Sequence, residues 1–157
     1  MTIKQIIDQI KIGPNDITIY KGAVESTLRW FELQMGIVLP DDFKELYRFS
    51  DGFESAEDAF RILSLDEIFD NRNQKYRSGL PGKRFYFAEY MQYSDLWSVE
   101  MGESQGDGYA IFCTAKNDEK VVMTHSLADF LECFLAGGVF ENNGLYAWRD
   151  AIANNHS

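Results

Sequence analysis

The sequence predicts an α+β fold in which a mixed or antiparallel β-sheet packs against several α-helices. Three observations carry this prediction. Apolar residues recur at intervals of three and four through the first half of the chain, short aromatic or β-branched runs follow from Phe85, and one more stretch of helical periodicity closes the chain. Helices followed by a strand meander and a closing helix are the element order of an α+β protein.

The first half predicts three helices, each with its own start or stop signal. Thr2 and Gln5 form a capping box for an opening helix that ends at Gly13. A second helix runs from residue 23 to residue 35, and Gly36 stands where a left-handed C-cap would close it. A third begins with Pro40 at its first helical position and ends at residues 50–52.

The second half predicts a meander of strands. Residues 61–63 form a brief strand, and Ser64 with Glu67 caps a helix of about two turns after it. Four further strands are expected at residues 85–87, 96–99, 109–112 and 121–123. Ser126 then caps a helix that ends at residues 137–138, and a last helix carries Leu145, Trp148 and Ile152.

Size and composition indicate one folded unit over residues 1–157. The chain has 45% hydrophobic and 25% charged residues, which is the composition of an ordinary packed globule. Lys4, Asp8 and Lys11 interrupt the isoleucines near the N-terminus, and no apolar run approaches the roughly 18 residues of a membrane span. We therefore expect a cytoplasmic protein with no membrane segment.

Residues 24–52 carry a combination of motifs that resembles the SUKH superfamily. The pattern includes Glu32, then Gly36, then Leu39-Pro40, and then a helix that opens with an acidic-aromatic pair, Asp42-Phe43, and ends at Asp51-Gly52. The superfamily usually has asparagine where Asp51 stands here. Looser matches follow at residues 62–68, 106–109 and 126–135, so the resemblance spans about residues 22–137.

The resemblance implies both a fold and a range of functions. The superfamily includes many bacterial toxin-immunity proteins and the fungal cell-wall synthesis regulators of the Smi/Knr type. It implies an α+β fold, and its motif names no catalytic group. The leading hypothesis is therefore a non-enzymatic protein-binding domain, an immunity protein that neutralises a bacterial toxin by direct binding. The alternative is a regulatory scaffold similar to the cell-wall regulators.

Patterns that would indicate catalysis or a cofactor are weak. His125 and His156 are the only histidines, and Cys113 and Cys133 lack the spacing of a zinc site, so neither a metal nor a cofactor is expected. Cys113 with His125 is a conceivable nucleophile and base. A buried thiol and a surface imidazole are the favoured interpretation, because Cys113 follows apolar residues of a strand.

The charge distribution points to a cationic partner. The net charge is −10, which argues against direct nucleic-acid binding, since phosphates require clustered lysine and arginine. Residues 71–84 carry five basic and no acidic side chains, whereas residues 85–119 carry seven acidic side chains and one lysine. We predict that the strands present a partner-binding face for a basic toxin domain such as a nuclease. Its candidate residues are Glu89, Asp95, Trp97, Glu100, Glu103 and Asp107.

Overall fold

The structure is a computed structural model that describes residues 1–13, 16–72, 83–102, 107–115 and 119–155. These residues form six helices and one seven-stranded antiparallel sheet, which confirms the predicted α+β class. In chain order the elements are α1 (Ile3–Ile12), β1 (Ile17–Ile19), α2 (Glu25–Met35), α3 (Asp41–Phe49), β2 (Phe53–Ser55), β3 (Phe60–Ile62), α4 (Leu65–Arg72), β4 (Arg84–Tyr90), β5 (Asp95–Met101), β6 (Tyr109–Thr114), β7 (Lys120–Thr124), α5 (Leu127–Gly137) and α6 (Leu145–Asn154).

The helix ends follow the capping residues of the sequence. Thr2 and Gln5 make both hydrogen bonds of the capping box of α1. Gly36 closes α2 in the left-handed conformation, at φ +68°. Ser126 caps α5 by accepting a hydrogen bond from the backbone amide of Asp129. Pro40 is the N-cap residue of α3, so the helix begins at Asp41, one residue later than predicted.

The sheet is a simple meander in which each strand pairs with the next one along the chain, from β1 to β7. Every pair is antiparallel, and one β-bulge interrupts β4 between Tyr86 and Ala88. The C-terminal ends of β2, β4 and β6 therefore lie at the same end of the sheet. The connections that follow β2 and β4 lie at that end, as does the beginning of β1.

The helices cover one face of this sheet and enclose the core. Aromatic side chains of the helices pack against rings of the strands, and these rings are all buried: Phe31 on Phe85, Phe43 on Phe87, and Phe130 on Phe60, Phe87 and Trp97. Helix α1 packs against α3 and α5 and so forms part of a second layer. Aromatic packing across this interface dominates the core.

Strands β1 and β2 were not predicted from the sequence. Each has three residues, which is too short to establish an alternating pattern in a region where helical periods dominate. They extend the expected meander at its N-terminal side. The basic stretch falls largely on residues 73–82, outside the described residues, but Arg84 at its end is buried in β4.

Candidate functional site

The motif at residues 32–44 stabilises a loop. Gly36 turns the chain after α2, and the carboxylate of Glu32 accepts a hydrogen bond of 2.8 Å from the backbone amide of Leu39. The ammonium of Lys44 lies 3.7 Å from the same carboxylate oxygen. Glu32 is thus committed to holding the connection between α2 and α3, and it does not present a free carboxylate to a partner.

The two aspartates of the motif also make internal contacts. Asp42 accepts a hydrogen bond from the Tyr109 hydroxyl, which itself accepts one of 2.6 Å from the backbone amide of Leu127. Burial and the bond to Asp42 raise the pKa of Tyr109, so this link between α3, β6 and α5 stays protonated. Asp51 accepts a bond of 2.9 Å from the amide of Leu65 and so caps α4. These motif residues build the scaffold.

Two of the six predicted partner-binding residues are buried, so for them the prediction is wrong. Glu89 is only 2% exposed, because Arg61 pairs with it at 2.6 Å and the backbone amide of Tyr93 donates to it at 2.7 Å. Trp97 is 1% exposed, between Phe60 and Phe130 in the core. Strand β5 directs Trp97 to the helices, so it contributes to packing and not to a surface.

Among the other predicted residues that the structure describes, Asp95 and Glu100 do not share one face. Asp95 and Glu100 lie five residues apart on β5, about 17 Å at the usual rise, and alternation places them on opposite faces of the sheet. Asp95 accepts a bond from the Tyr146 hydroxyl on the helix side, whereas Glu100 pairs with the buried Arg84 on the other side. Asp107 is exposed near the far end of β5, and Glu103 lies outside the described residues.

Cys113 and His125 do not assemble into a nucleophilic pair. Cys113 is opposite Val121 in the sheet, and His125 follows four residues later, about 13 Å along the strand direction. Burial raises the pKa of the Cys113 thiol to about 12, which keeps it protonated at neutral pH. Among the described residues, no group of three or more histidine, cysteine or carboxylate side chains is arranged to hold a metal ion.

A partly buried ion-pair cluster links β3, β4 and α4. Arg61 of β3 makes a two-pronged contact with Glu67 of α4, at 3.0 and 2.8 Å, and its third bond goes to Glu89. Burial alone would lower the pKa of Arg61, but the bonds to Glu67 and Glu89 outweigh it and raise the pKa. The ring of Tyr93 covers this guanidinium at 5.6 Å. The cluster anchors α4 and the β4–β5 turn to the sheet.

The β2–β3 turn, the β4–β5 turn and the α5–α6 loop meet at the end of the sheet where β2 and β4 end. We call this surface the acidic end and define it as Asp16 together with residues 56–59, 91–94 and 138–144. Hydrogen bonds tie the connections together: the amide of Met91 donates to the carbonyl of Ala59 at 2.8 Å, and that of Val139 donates to Asp58 at 3.4 Å. The acidic end contains Asp16, Glu57, Asp58 and Glu141 and, on these segments, no lysine or arginine.

Large apolar side chains are exposed on two of these connections. Phe140 is 60% exposed and packs edge-on against Tyr90, at 5.1 Å between ring centroids, and against Tyr146 at 5.4 Å. Met91 is 51% exposed on the neighbouring connection. This arrangement could not be predicted from the sequence, because the residues come from three distant segments and only the fold brings them together.

Strained backbone fixes the shape of the acidic end. Ala59 and the three consecutive residues 91–93 all have positive φ, between 46° and 68°. Non-glycine residues adopt this conformation at a cost of about 1–3 kcal/mol each, and they persist where the surrounding structure determines them. Concavities of about 260 and 580 Å³ flank the β2–β3 turn on its two sides.

A second concave surface lies at the other end of the molecule. This groove has a volume of about 640 Å³ and is lined by the loop of residues 36–41 together with Lys83, Met101 and Tyr109. Leu33 and Val38 are exposed beside it, at 80% and 49%. The groove mixes lysine with acidic residues, so it lacks the uniform charge of the acidic end. None of the helices in the described ranges is both long and apolar enough to traverse a lipid bilayer.

The comparison with protein families agrees with the scaffold described above. The SMI1 / KNR4 family (SUKH-1) matches residues 22–133, which include the motif residues Glu32 to Gly52 and six of the seven strands. No curated protein matches the chain. The matched region is well over half of the sequence and coincides with the resemblance read from the residues, over 22–137. The chain therefore belongs to the SMI1 / KNR4 family (SUKH-1).

Proposed function

We propose that this protein is a non-enzymatic immunity protein that neutralises a bacterial toxin by binding it directly. The family match over residues 22–133 carries the proposal, because the SUKH superfamily includes many toxin-immunity proteins. The internal contacts of the motif support it. Glu32, Asp42 and Asp51 are all engaged in hydrogen bonds that hold the fold, so the family signature describes a scaffold on which a partner surface can vary.

The charge of the chain favours a basic target. A net charge of −10 repels nucleic acid and attracts cationic proteins, and such attraction accelerates encounter between partners. A nuclease domain needs a positive cleft for its substrate. Such a cleft is a surface that an acidic protein would cover, and covering it would exclude the substrate. We therefore propose occlusion as the mechanism and a basic toxin domain as the partner.

The experiment is a rescue of growth. The polypeptide encoded immediately upstream of this gene is expressed alone, with this protein, or with an unrelated protein of similar size and net charge. We expect toxicity alone and rescue only by this protein. A neighbouring product without toxicity, or one that the unrelated protein neutralises equally well, would contradict the proposal. Purification of this protein with several housekeeping proteins and no toxin would instead support a regulatory scaffold.

A further inference from the structure

We propose that the acidic end is the surface through which this protein binds its partner, and that the partner presents a basic face with an apolar recess for Phe140. The inference rests on the proposed function, since it names the surface of the same interaction. It replaces the predicted strand face, in which Glu89 and Trp97 are buried and Asp95 and Glu100 lie on opposite faces of the sheet.

The exposed apolar residues carry this inference. Phe140 retains 60% of its exposure and Met91 retains 51%, although both lie beside large aromatic side chains that are partly buried. Exposed aromatics surrounded by polar residues are typical of the centre of protein interfaces. Burying the exposed part of the Phe140 side chain against a partner removes apolar surface from water, so Phe140 is a substantial anchor.

The loop that bears Phe140 is already fixed in shape. It is closed by backbone bonds from Glu141 to Gly137 at 3.1 Å, from Gly144 to Glu141 at 2.9 Å and from Leu145 to Gly138 at 3.0 Å. Gly138 has φ +58°, and a side chain there would meet the carboxylate of Asp58 at 2.6 Å. A surface that is rigid before binding loses little conformational entropy on association, which favours affinity.

The charges define the chemistry of the partner. Asp16, Glu57, Asp58 and Glu141 line one concavity beside the β2–β3 turn, and the segments that define the acidic end contain no lysine or arginine. Asp16 and Asp58 make internal bonds to Ser55 and to the amide of Val139, whereas Glu57 and Glu141 are exposed. Glu57 and Glu141 are therefore the carboxylates that face lysine or arginine side chains of the partner.

The test measures the kinetics of binding to the purified domain encoded by the neighbouring gene. Phe140→Ala removes the anchor, and we expect the dissociation rate constant to rise at least about tenfold. The double variant Glu57→Lys, Glu141→Lys reverses the exposed charges. We expect its association rate constant to fall about tenfold at low salt and to lose most of its salt dependence.

The matched controls lie elsewhere on the surface. Leu33→Ala removes an exposed apolar side chain beside the groove, and the double variant Asp8→Lys, Glu45→Lys makes the same change in charge on α1 and α3. We expect both to bind within about twofold of the unmodified protein. All the substituted residues are exposed, and thermal unfolding monitored by circular dichroism verifies that each variant is folded.

The outcomes separate the two proposals. If the unmodified protein binds and the acidic-end variants bind equally well, the surface is wrong and the proposed function stands. If the unmodified protein does not bind the neighbouring product, the proposed function fails and the surface proposal fails with it. If the free protein is a dimer that Phe140→Ala dissociates, as shown by light scattering, the patch is a self-association face and the proposal is overturned.

Discussion

At the scale of the residue, burial separates the acidic side chains that hold this fold from those that can meet a partner. Glu89 and Glu57 have the same chemical group, yet Glu89 is 2% exposed and bonded to Arg61, whereas Glu57 is exposed on a turn. Sequence alone cannot make this distinction, because Glu89 belongs to a run in which acids outnumber bases. The register that places Arg61 opposite Glu89 decides it.

Removing the buried carboxylate should destabilise the protein. Glu89→Ala leaves Arg61 with one of its two carboxylate partners and removes the carboxylate to which the amide of Tyr93 donates. We expect the free energy of unfolding to fall by about 2–3 kcal/mol, because the variant loses a buried, charge-assisted hydrogen bond and an ion pair. Urea denaturation measures this. Glu57→Ala is the matched control, expected within about 0.5 kcal/mol of the unmodified protein.

Asp51 should make stability depend on pH. Burial is the main cause that raises its pKa, the bond from the Leu65 amide partly opposes this, and the charge of Asp66 adds to the increase. A carboxyl whose pKa is raised on folding favours the folded state most at low pH, and this contribution is lost as the pH rises through the folded pKa. At neutral pH the charge of the partly buried Asp51 carboxylate therefore destabilises the folded state.

The variant Asp51→Asn tests this effect. The amide oxygen of asparagine can still accept the Leu65 bond, and the residue carries no charge. We expect a gain of up to about 0.5 kcal/mol at pH 7, small because the half-exposed carboxylate is screened by water. The gain should shrink as the pH falls through the pKa of Asp51. Urea midpoints measured across the acidic range check the trend, and a gain that grows on acidification would contradict it.

The cysteines should behave as structural residues. Burial raises the pKa of Cys113 to about 12 and that of Cys133 to about 11, so both are protonated in the native state. We expect a thiol-specific disulfide reagent at mildly alkaline pH to label the native protein slowly and both thiols promptly in denaturant. Rapid labelling of native Cys113 would indicate a reactive thiol and would contradict a purely structural role for Cys113.

At the scale of the element, caps and turn residues account for what the sequence could predict. The capping box at Thr2, the left-handed Gly36 and the Ser126 cap are local signals, and all three elements begin or end where these residues stand. Strands β1 and β2 were not predicted, because three residues are too few to show an alternating pattern in a region where helical periods dominate. Their positions are determined by the pairing of β1 with β2 and of β2 with β3, which is a long-range property of the sheet.

Two glycines of the family signature should differ in their tolerance of a side chain. Gly36 has φ +68° but open space around it, whereas Gly52 has φ +82° and a Cβ atom there would lie 2.6 Å from the carbonyl oxygen of Ile62. We expect Gly36→Ala to cost about 1 kcal/mol from backbone strain alone. Gly52→Ala adds a clash with backbone and should cost about 3 kcal/mol or more. If urea denaturation gives the same loss of unfolding free energy for both variants, the predicted steric clash at Gly52 is contradicted.

At the scale of the whole molecule, the order of strands creates a surface that no segment of the sequence contains. The meander brings the turns after β2 and β4 to one end of the sheet, and the α5–α6 loop places Phe140 at the same end. Family membership and fold class were predictable because both rest on local motifs and periodicity. The acidic end was not, because its residues are separated by up to about 125 positions in the chain and only the fold makes them neighbours.

The central claim is that this protein acts by stoichiometric binding and makes or breaks no bonds. Titration of the activity of the neighbouring toxin domain with increasing amounts of this protein tests it most directly. We predict that activity falls in proportion to added protein, ends at a fixed ratio of chains and does not change with longer incubation. Complete inactivation by a small fraction of an equivalent, progressing with time, would show turnover and contradict the claim.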